Sequence, residues 1–192
     1  MTGNFVIGQP SAWVVRFAPL IPAGEVLDLA CGAGRHARLL ASLGHPVMAV
    51  DRDAEALAQA AGPGIATVRA DLEDEEAPQS VWPFGADRFA GIVVTNYLHR
   101  PLFPHILDSL APGGVLIYET FAMGNERFGK PSSPRFLLKT GELLDLVCTG
   151  GVKPHVLAFE DGYIDEPKPA MVQRICVVKG ASAAAGPSLR LT

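Results

Sequence analysis

Residues 25–34 read Glu-Val-Leu-Asp-Leu-Ala-Cys-Gly-Ala-Gly, and this stretch decides the fold of the chain. The apolar run at its start predicts a buried strand that carries one acid, Asp28. Gly32 and Gly34 predict a tight turn, and a helical pattern begins directly after it. A strand, a glycine turn and a helix in this order place a nucleotide at the carboxyl edge of a parallel sheet.

Two classes of cofactor use such a turn. Residues 32–37 fit the loose dinucleotide pattern G-x-G-x-x-A. In a dinucleotide site, however, the turn faces a pyrophosphate, and a carboxylate at the strand end suits an anion poorly. Asp28 suits a cationic ligand instead, such as an amino acid that carries a sulfonium, and S-adenosylmethionine has both positive groups. A turn that only closes a strand–helix joint would explain the glycines but not Asp28.

The rest of the chain alternates between apolar runs and helical patterns. Near-continuous apolar strands separated by helices predict an α/β fold, a doubly wound and mostly parallel sheet with helices on both faces. Helices are expected at 10–21, 34–44, 53–61, 101–110 and 141–148, and strands at 26–29, 46–51, 65–70, 89–95, 114–121, 153–160 and 170–178.

Three acids follow the first three predicted strands. Asp51 lies about twenty residues after Gly32, where an acid can accept both ribose hydroxyls. It could instead cap the next helix, but Asp53 is better placed for capping. Asp71 alone would be an ordinary turn residue. Together with Asp28 and Asp51 it gives an acid at the end of each of three successive strands, which independent turn chemistry would rarely produce.

The stretch that begins at Asp28, D-L-A-C-G-x-G, resembles motif I of the class I S-adenosylmethionine-dependent methyltransferases. Stretches that begin at Asn96 and Tyr118 are similar to a bacterial subgroup near the tellurite-resistance methyltransferases. The resemblance covers about residues 11–178. It implies a seven-stranded sheet of order 3-2-1-4-5-7-6 with strand 7 antiparallel, S-adenosyl-L-methionine as cofactor and S-adenosyl-L-homocysteine as product.

The same resemblance implies that the chain has three parts. An N-terminal helical segment at 1–24 would precede a methyltransferase domain at 25–179. Residues 180–192 are small and polar, so we expect a disordered tail there.

The resemblance also implies how the cofactor is bound. Asp71 and the backbone of Leu72 would read the adenine, and Arg52 would lie along it or be a solvated surface residue. Asn96 would contact the methionine part, or be only a turn residue. The complete set of expected cofactor-binding residues is Asp28, Ala30, Gly32, Gly34, Asp51, Arg52, Asp71, Leu72 and Asn96.

Methyl transfer from a sulfonium is an in-line displacement, so an enzyme mainly supplies alignment and adds a base only for a protonated acceptor. We predict Tyr97, His99 and Glu119 as catalytic residues because they follow strands 4 and 5. Histidine is the side chain best suited to exchange a proton near neutrality, although His99 could simply cap the next helix. Glu119 could bind the acceptor or pair with an arginine of the following loop.

A polar loop at 122–139 follows the fifth strand and has the length of a lid. It carries four basic residues against one acid, which would suit an anionic acceptor or be solvated surface charge. Asn96 is followed by Tyr-Leu-His and not by Pro-Pro-Tyr, which argues against methylation of a nucleobase amine. The basic residues are Arg127, Lys130, Arg135 and Lys139.

Composition limits the partners. The net charge of −4 argues against sequence-independent nucleic-acid binding. No apolar run reaches the length of a membrane span, and no signal peptide is seen, so we expect a cytoplasmic protein. Three scattered cysteines argue against a disulfide framework and a zinc site, and we predict no metal ligands. A nicotinamide-dependent oxidoreductase and a non-catalytic S-adenosylmethionine-binding protein remain as alternatives.

Overall fold

A computed structural model describes residues 8–73, 82–149 and 154–180 of the chain. Seven strands form one sheet: β1 (Val26–Leu29), β2 (Val47–Asp51), β3 (Ile65–Arg69), β4 (Phe89–Thr95), β5 (Leu110–Phe121), β6 (His155–Ile164) and β7 (Ala170–Val178). Their order is β3-β2-β1-β4-β5-β7-β6. The pairs among β1 to β5 are parallel, and β7 is antiparallel to both β5 and β6. The predicted fold and strand order are confirmed.

Helices cover both faces of this sheet because successive strand residues point to opposite sides. In β1, Leu27 and Leu29 pack with one apolar cluster and Val26 with the other. The first cluster includes residues of α4 (Phe103–Ser109) and α5 (Glu142–Cys148). The second includes residues of α1 (Ala12–Phe17), α2 (Arg35–Ser42) and α3 (Ala54–Ala60).

Two strands are longer than the sequence pattern predicts. β5 begins at Leu110, which pairs with Phe89, and the Gly113 N–H donates to the Lys179 carbonyl at 2.7 Å. β6 continues to Ile164 because its pairing with β7 extends to Ala170. Backbone pairing with a neighbouring strand therefore extends both elements past glycine and proline signals.

The sequence pattern suggested a structureless loop at 122–139, but the structure shows short elements there. It contains short 3-10 turns at Asn125–Arg127 and Pro134–Phe136. Ala122 forms a bridge with Leu138, whose side chain is fully buried. The segment is therefore packed onto the end of the sheet.

Several expectations fall on other parts of the chain. The middle of the acidic loop (74–81), the start of the sixth predicted strand (153) and the tail from 181 lie outside the described residues. Within residues 8–73, 82–149 and 154–180, no helix has both the length and the apolar character of a membrane span. The same ranges contain no group of three or more His, Cys, Asp or Glu side chains arranged to hold a metal ion.

Candidate active site

Two adjoining cavities lie at the carboxyl edge of the sheet. The first has a volume of about 350 Å³ and the second about 280 Å³. Ala30, Asn96 and Tyr97 line both. The first cavity is lined by Ala30, Val50, Asp51, Arg52, Ala70, Asp71, Leu72, Glu73, Asn96, Tyr97, Leu98, Thr120, Pro131 and Phe136. The second is lined by Gly8, Ala30, Cys31, Gly32, Ala33, Arg35, His36, Thr95, Asn96 and Tyr97.

Asp51 joins the end of β2 to the glycine turn. One carboxylate oxygen accepts a hydrogen bond from the Gly32 N–H at 2.8 Å, and the other accepts from the Asp53 N–H at 3.0 Å. Asp53 itself caps α3 by accepting from the N–H groups of Glu55 and Ala56. Because a carboxylate offers about four lone-pair sites, Asp51 keeps acceptor capacity toward the first cavity.

Asp28 lies on β1 beneath the glycine turn and is only 1% exposed. Its Oδ2 atom has no hydrogen-bond partner among the described residues. Burial raises the pKa of this carboxyl from 3.8 to about 7, and the charge of Asp51 adds to the rise, against opposing effects of the Ala37 amide and Arg35. A buried carboxyl group with one unpartnered oxygen favours a nearby cation, although Asp28 is not among the residues that line either cavity.

The two glycines of the turn differ in their surroundings. Gly32 has φ +53°, and a Cβ atom placed on it would meet no atom within 4 Å. Gly34 has φ +78°, and a Cβ there would lie 2.6 Å from the Ala60 Cβ. Gly32 therefore faces open space at the second cavity, whereas Gly34 allows α2 to approach α3. Ala30 also adopts a left-handed conformation, with φ +53°.

The three predicted catalytic residues occupy different places. Tyr97 lines both cavities, and burial together with a hydrogen bond to Glu73 raises the pKa of its hydroxyl. His99 precedes a 3-10 turn, where its carbonyl accepts from the Leu102 N–H at 3.1 Å, and its side chain lines neither cavity.

Glu119 also lies outside the linings of both cavities. Its carboxylate accepts from the Ser11 hydroxyl at 2.8 Å and pairs with Arg174 at 3.4 Å. Arg174 belongs to β7, so the partner of Glu119 is not an arginine of the loop that follows β5. The structure thus brings Tyr97 to the cavities but not His99 or Glu119.

The sequence reasoning missed several lining residues, among them His36 and Glu73. His36 is 2% exposed, and its Nε2 atom accepts from the Ser11 N–H at 3.0 Å. Burial and then the charge of Arg35 lower the pKa of this imidazole to about 3, so it is neutral. A histidine directly after the glycine turn was the available signal for His36. Glu73 gave no separate signal because it begins an acidic run.

Charge is unevenly distributed around the first cavity. Its charged lining residues are three acids, Asp51, Asp71 and Glu73, and one base, Arg52. The segment at 122–139 contributes Pro131 and Phe136, while its four basic residues are absent from the described lining.

Comparison with known proteins shows a similarity to methyltransferases. The sequence profile described as a methyltransferase domain matches residues 26–114. A protein-L-isoaspartate O-methyltransferase of Chlorobaculum tepidum is 35% identical over 109 residues, which are 56% of this chain and 49% of that protein. A trans-aconitate 2-methyltransferase of Rhizobium meliloti is 31% identical over 114 residues, 56% of this chain and 42% of that protein.

Over residues 26–114 the chain is similar to the methyltransferase domain. The predicted resemblance to methyltransferases is confirmed, and the chain spans about half the length of the curated relatives it matches. A methyltransferase of Mesorhizobium loti shares its fold with a TM-score of 0.64 at 19% identity, over 83% of this chain and 93% of that one. TehB of Haemophilus influenzae gives a TM-score of 0.65 at 21% identity, over 86% and 61%. At these identities the likeness shows the fold alone, and the expected place near the tellurite-resistance subgroup stays a prediction.

Proposed function

We propose that this protein transfers a methyl group from S-adenosylmethionine to a small-molecule acceptor. The observation that carries the proposal is one cavity, lined by Asp51 and Asp71 from successive strand ends and adjoining the open face of Gly32. Two features of the residues fit this cofactor. Asp51 retains free acceptor capacity for a sugar, and the buried Asp28 carboxyl, whose Oδ2 atom has no hydrogen-bond partner among the described residues, favours a positively charged ligand nearby.

The two cavities suggest which part of the cofactor each of them would bind. Asp51 would accept from the ribose hydroxyls, and Asp71 with Leu72 would recognise the adenine, with Arg52 beside it. Gly32 and Asn96 would bind the amino-acid end, since both line the second cavity. When bound, the sulfonium supplies an activated methyl group and a neutral leaving group.

The chain's own contribution to the reaction is alignment. Tyr97 lies where the two cavities meet, and its raised pKa keeps the hydroxyl from ionising, so it does not act as a base. Orientation of two reactants lowers a barrier by up to roughly 7–11 kcal/mol in well-aligned cases. We propose that Tyr97 orients the acceptor, and the proposed catalytic role of His99 has no support from its position.

The acceptor would occupy the part of the first cavity lined by Thr120, Pro131 and Phe136. The relatives named trans-aconitate 2-methyltransferases and the basic residues of 122–139 support an anionic acceptor. The lining of the first cavity holds three acids and one base, Arg52, and this excess of negative charge favours a neutral acceptor. Pairs of candidate acceptors that differ only by a carboxylate or its methyl ester decide between the two.

The test is transfer of isotope-labelled methyl groups from S-adenosylmethionine to a library of small molecules. We expect label in at least one acceptor, and a Tyr97→Phe variant that binds S-adenosylhomocysteine normally but transfers more slowly. Binding of the cofactor with no transfer to any acceptor would contradict the proposal and favour a non-catalytic binding protein.

A further inference from the structure

The described chain begins with a short segment, residues 8–11, that reaches the second cavity at Gly8. Gly8 lines this cavity together with the glycine turn, Arg35 and His36. The Gln9 carbonyl accepts a hydrogen bond from the Arg35 guanidinium at 3.4 Å. We call residues 8–11 the N-terminal strap, which lies directly before α1.

Ser11 fixes the end of the strap through three hydrogen bonds. Its backbone N–H donates to His36 Nε2 at 3.0 Å, and its hydroxyl donates to Glu119 at 2.8 Å. The hydroxyl oxygen also accepts from the Trp13 N–H at 3.1 Å, which caps α1. The backbone N–H and the hydroxyl of Ser11 are therefore paired with residues of α2, β5 and α1.

The two partners of Ser11 are themselves held in place. Because His36 Nε2 accepts a hydrogen bond, the proton of the neutral ring is on Nδ1, which lies 3.4 Å from the Thr95 hydroxyl. Glu119 pairs with Arg174, and Arg174 pairs with Glu160 at 2.6 Å. A chain of polar contacts thus connects the strap to β4, β5, β6 and β7.

We propose that the N-terminal strap is a wall of the cofactor site and that Glu119 and His36 are positioning residues that hold it through Ser11. The identity of the ligand rests on the proposed function, but the fixing of the strap does not. A wall that is ordered before binding lowers the entropic cost of association and slows release of the ligand. Glu119 thereby has a role that does not require contact with the acceptor.

Glu119→Ala tests the proposal, because Glu119 lines neither cavity and its side chain contacts the strap through the Ser11 hydroxyl. We expect S-adenosylhomocysteine to bind about tenfold more weakly, with most of the change in the dissociation rate, since a hydrogen bond to a charged group is lost. Hydrogen exchange of the peptide that spans 8–16 should accelerate in the same variant. Glu119→Gln keeps an acceptor for the Ser11 hydroxyl and should restore both properties in large part.

Glu25→Ala is the matched control. It removes the same side chain and also breaks a pair with an arginine, Arg88, at 2.9 Å, but it precedes β1 at the opposite edge of the sheet. This variant should leave both the affinity and the exchange of 8–16 unchanged. His36→Leu should accelerate the exchange as Glu119→Ala does, and His36→Gln, which offers an amide oxygen to the Ser11 N–H, should reverse that effect.

The outcomes separate the two proposals. If Glu119→Ala leaves the affinity and the exchange of residues 8–16 as they are in the wild type, the strap proposal is wrong. Exchange that accelerates without any change in affinity would show that the strap is fixed by Glu119 but is not part of the ligand site, which also overturns the proposal. If the wild type does not bind S-adenosylhomocysteine, the proposed function fails, and the exchange measurement still decides whether Glu119 fixes the strap.

Discussion

At the scale of single residues, Gly34 is required for packing between helices. A Cβ atom at this position would lie 2.6 Å from the Ala60 Cβ and 2.8 Å from its Cα, in a backbone conformation with φ +78°. We predict that Gly34→Ala lowers the free energy of unfolding by about 3 kcal/mol, the sum of overpacking and left-handed strain. Thermal or urea unfolding of the purified variant measures this effect.

Gly32→Ala is the natural comparison, because a Cβ atom there meets no atom within 4 Å. Gly32→Ala should lower the free energy of unfolding only by the left-handed strain, about 1 kcal/mol. Binding of S-adenosylhomocysteine should weaken, because the added methyl group would point into the open space of the second cavity. Equal destabilisation by the two substitutions would contradict this assignment. The sequence alone suggested that both glycines face the cofactor, whereas the structure separates them.

Asp28 makes stability depend on pH. Its pKa is raised from 3.8 to about 7, so the folded state keeps a proton that the unfolded chain has lost over this interval. Stability therefore falls as pH rises from about 4 to 7. We predict that Asp28→Asn stabilises the protein on the order of 3 kcal/mol at pH 8 and hardly at all at pH 4, measured as unfolding curves at both values.

The same substitution should weaken S-adenosylhomocysteine binding, since the buried carboxyl favours a positive ligand. A pH-independent difference in stability between Asp28→Asn and the wild type would show that the Asp28 carboxyl is ionised in the folded protein throughout this range. A gain in stability with a loss of binding is typical of functional residues held in unfavourable surroundings.

At the scale of elements, the 122–139 segment is held to the rest of the domain by Arg100. Arg100 forms a two-pronged ion pair with Glu142, at 2.6 and 2.9 Å, and donates to the carbonyls of Arg135 and Leu137 at 2.9 and 3.0 Å. Phe136, which lines the first cavity, lies between these two carbonyls in the sequence. We predict that Arg100→Lys accelerates hydrogen exchange at 134–138 without changing S-adenosylhomocysteine affinity, because lysine cannot form the fork.

Arg88→Lys is the control, since Arg88 forms a similar two-pronged pair with Glu25 far from this segment. It should leave exchange at 134–138 unchanged. If Arg100→Lys weakens cofactor binding as well, the segment belongs to the cofactor site and the assignment of Pro131 and Phe136 to the acceptor is wrong.

The elements themselves were largely predictable from the sequence. Apolar runs located all seven strands, and the signal is continuous in strands such as β4 that are buried on both faces. The longer ends of β5 and β6 were not predictable, since they depend on pairing with Phe89 and Ala170 and not on local pattern. The packing of the 122–139 segment was not predictable either, because its buried residues Leu137 and Leu138 lie in a segment that is otherwise mostly glycine, proline and polar residues.

At the scale of the whole molecule, the site is assembled from distant parts of the chain. Asp51 and Asp71 were predictable because each ends a strand of a parallel sheet, and such ends meet at one edge. The roles of Ser11 and Glu119 were not, because 108 positions separate the two residues in the sequence. Nothing in the local pattern around Glu119 distinguishes an acid that binds an acceptor from one that holds a neighbouring segment.

The central claim is that this sheet edge binds S-adenosylmethionine, and calorimetric titration with S-adenosylhomocysteine tests it most directly. We predict binding of one molecule per chain, no comparable binding of NAD, and a loss of about tenfold or more in affinity in Asp51→Ala, since hydrogen bonds to a charged group are removed. Asp53→Ala, which removes a helix cap two residues away, should leave the affinity near that of the wild type. Binding of NAD in preference to S-adenosylhomocysteine, or equal affinities in Asp51→Ala and the wild type, would contradict the account.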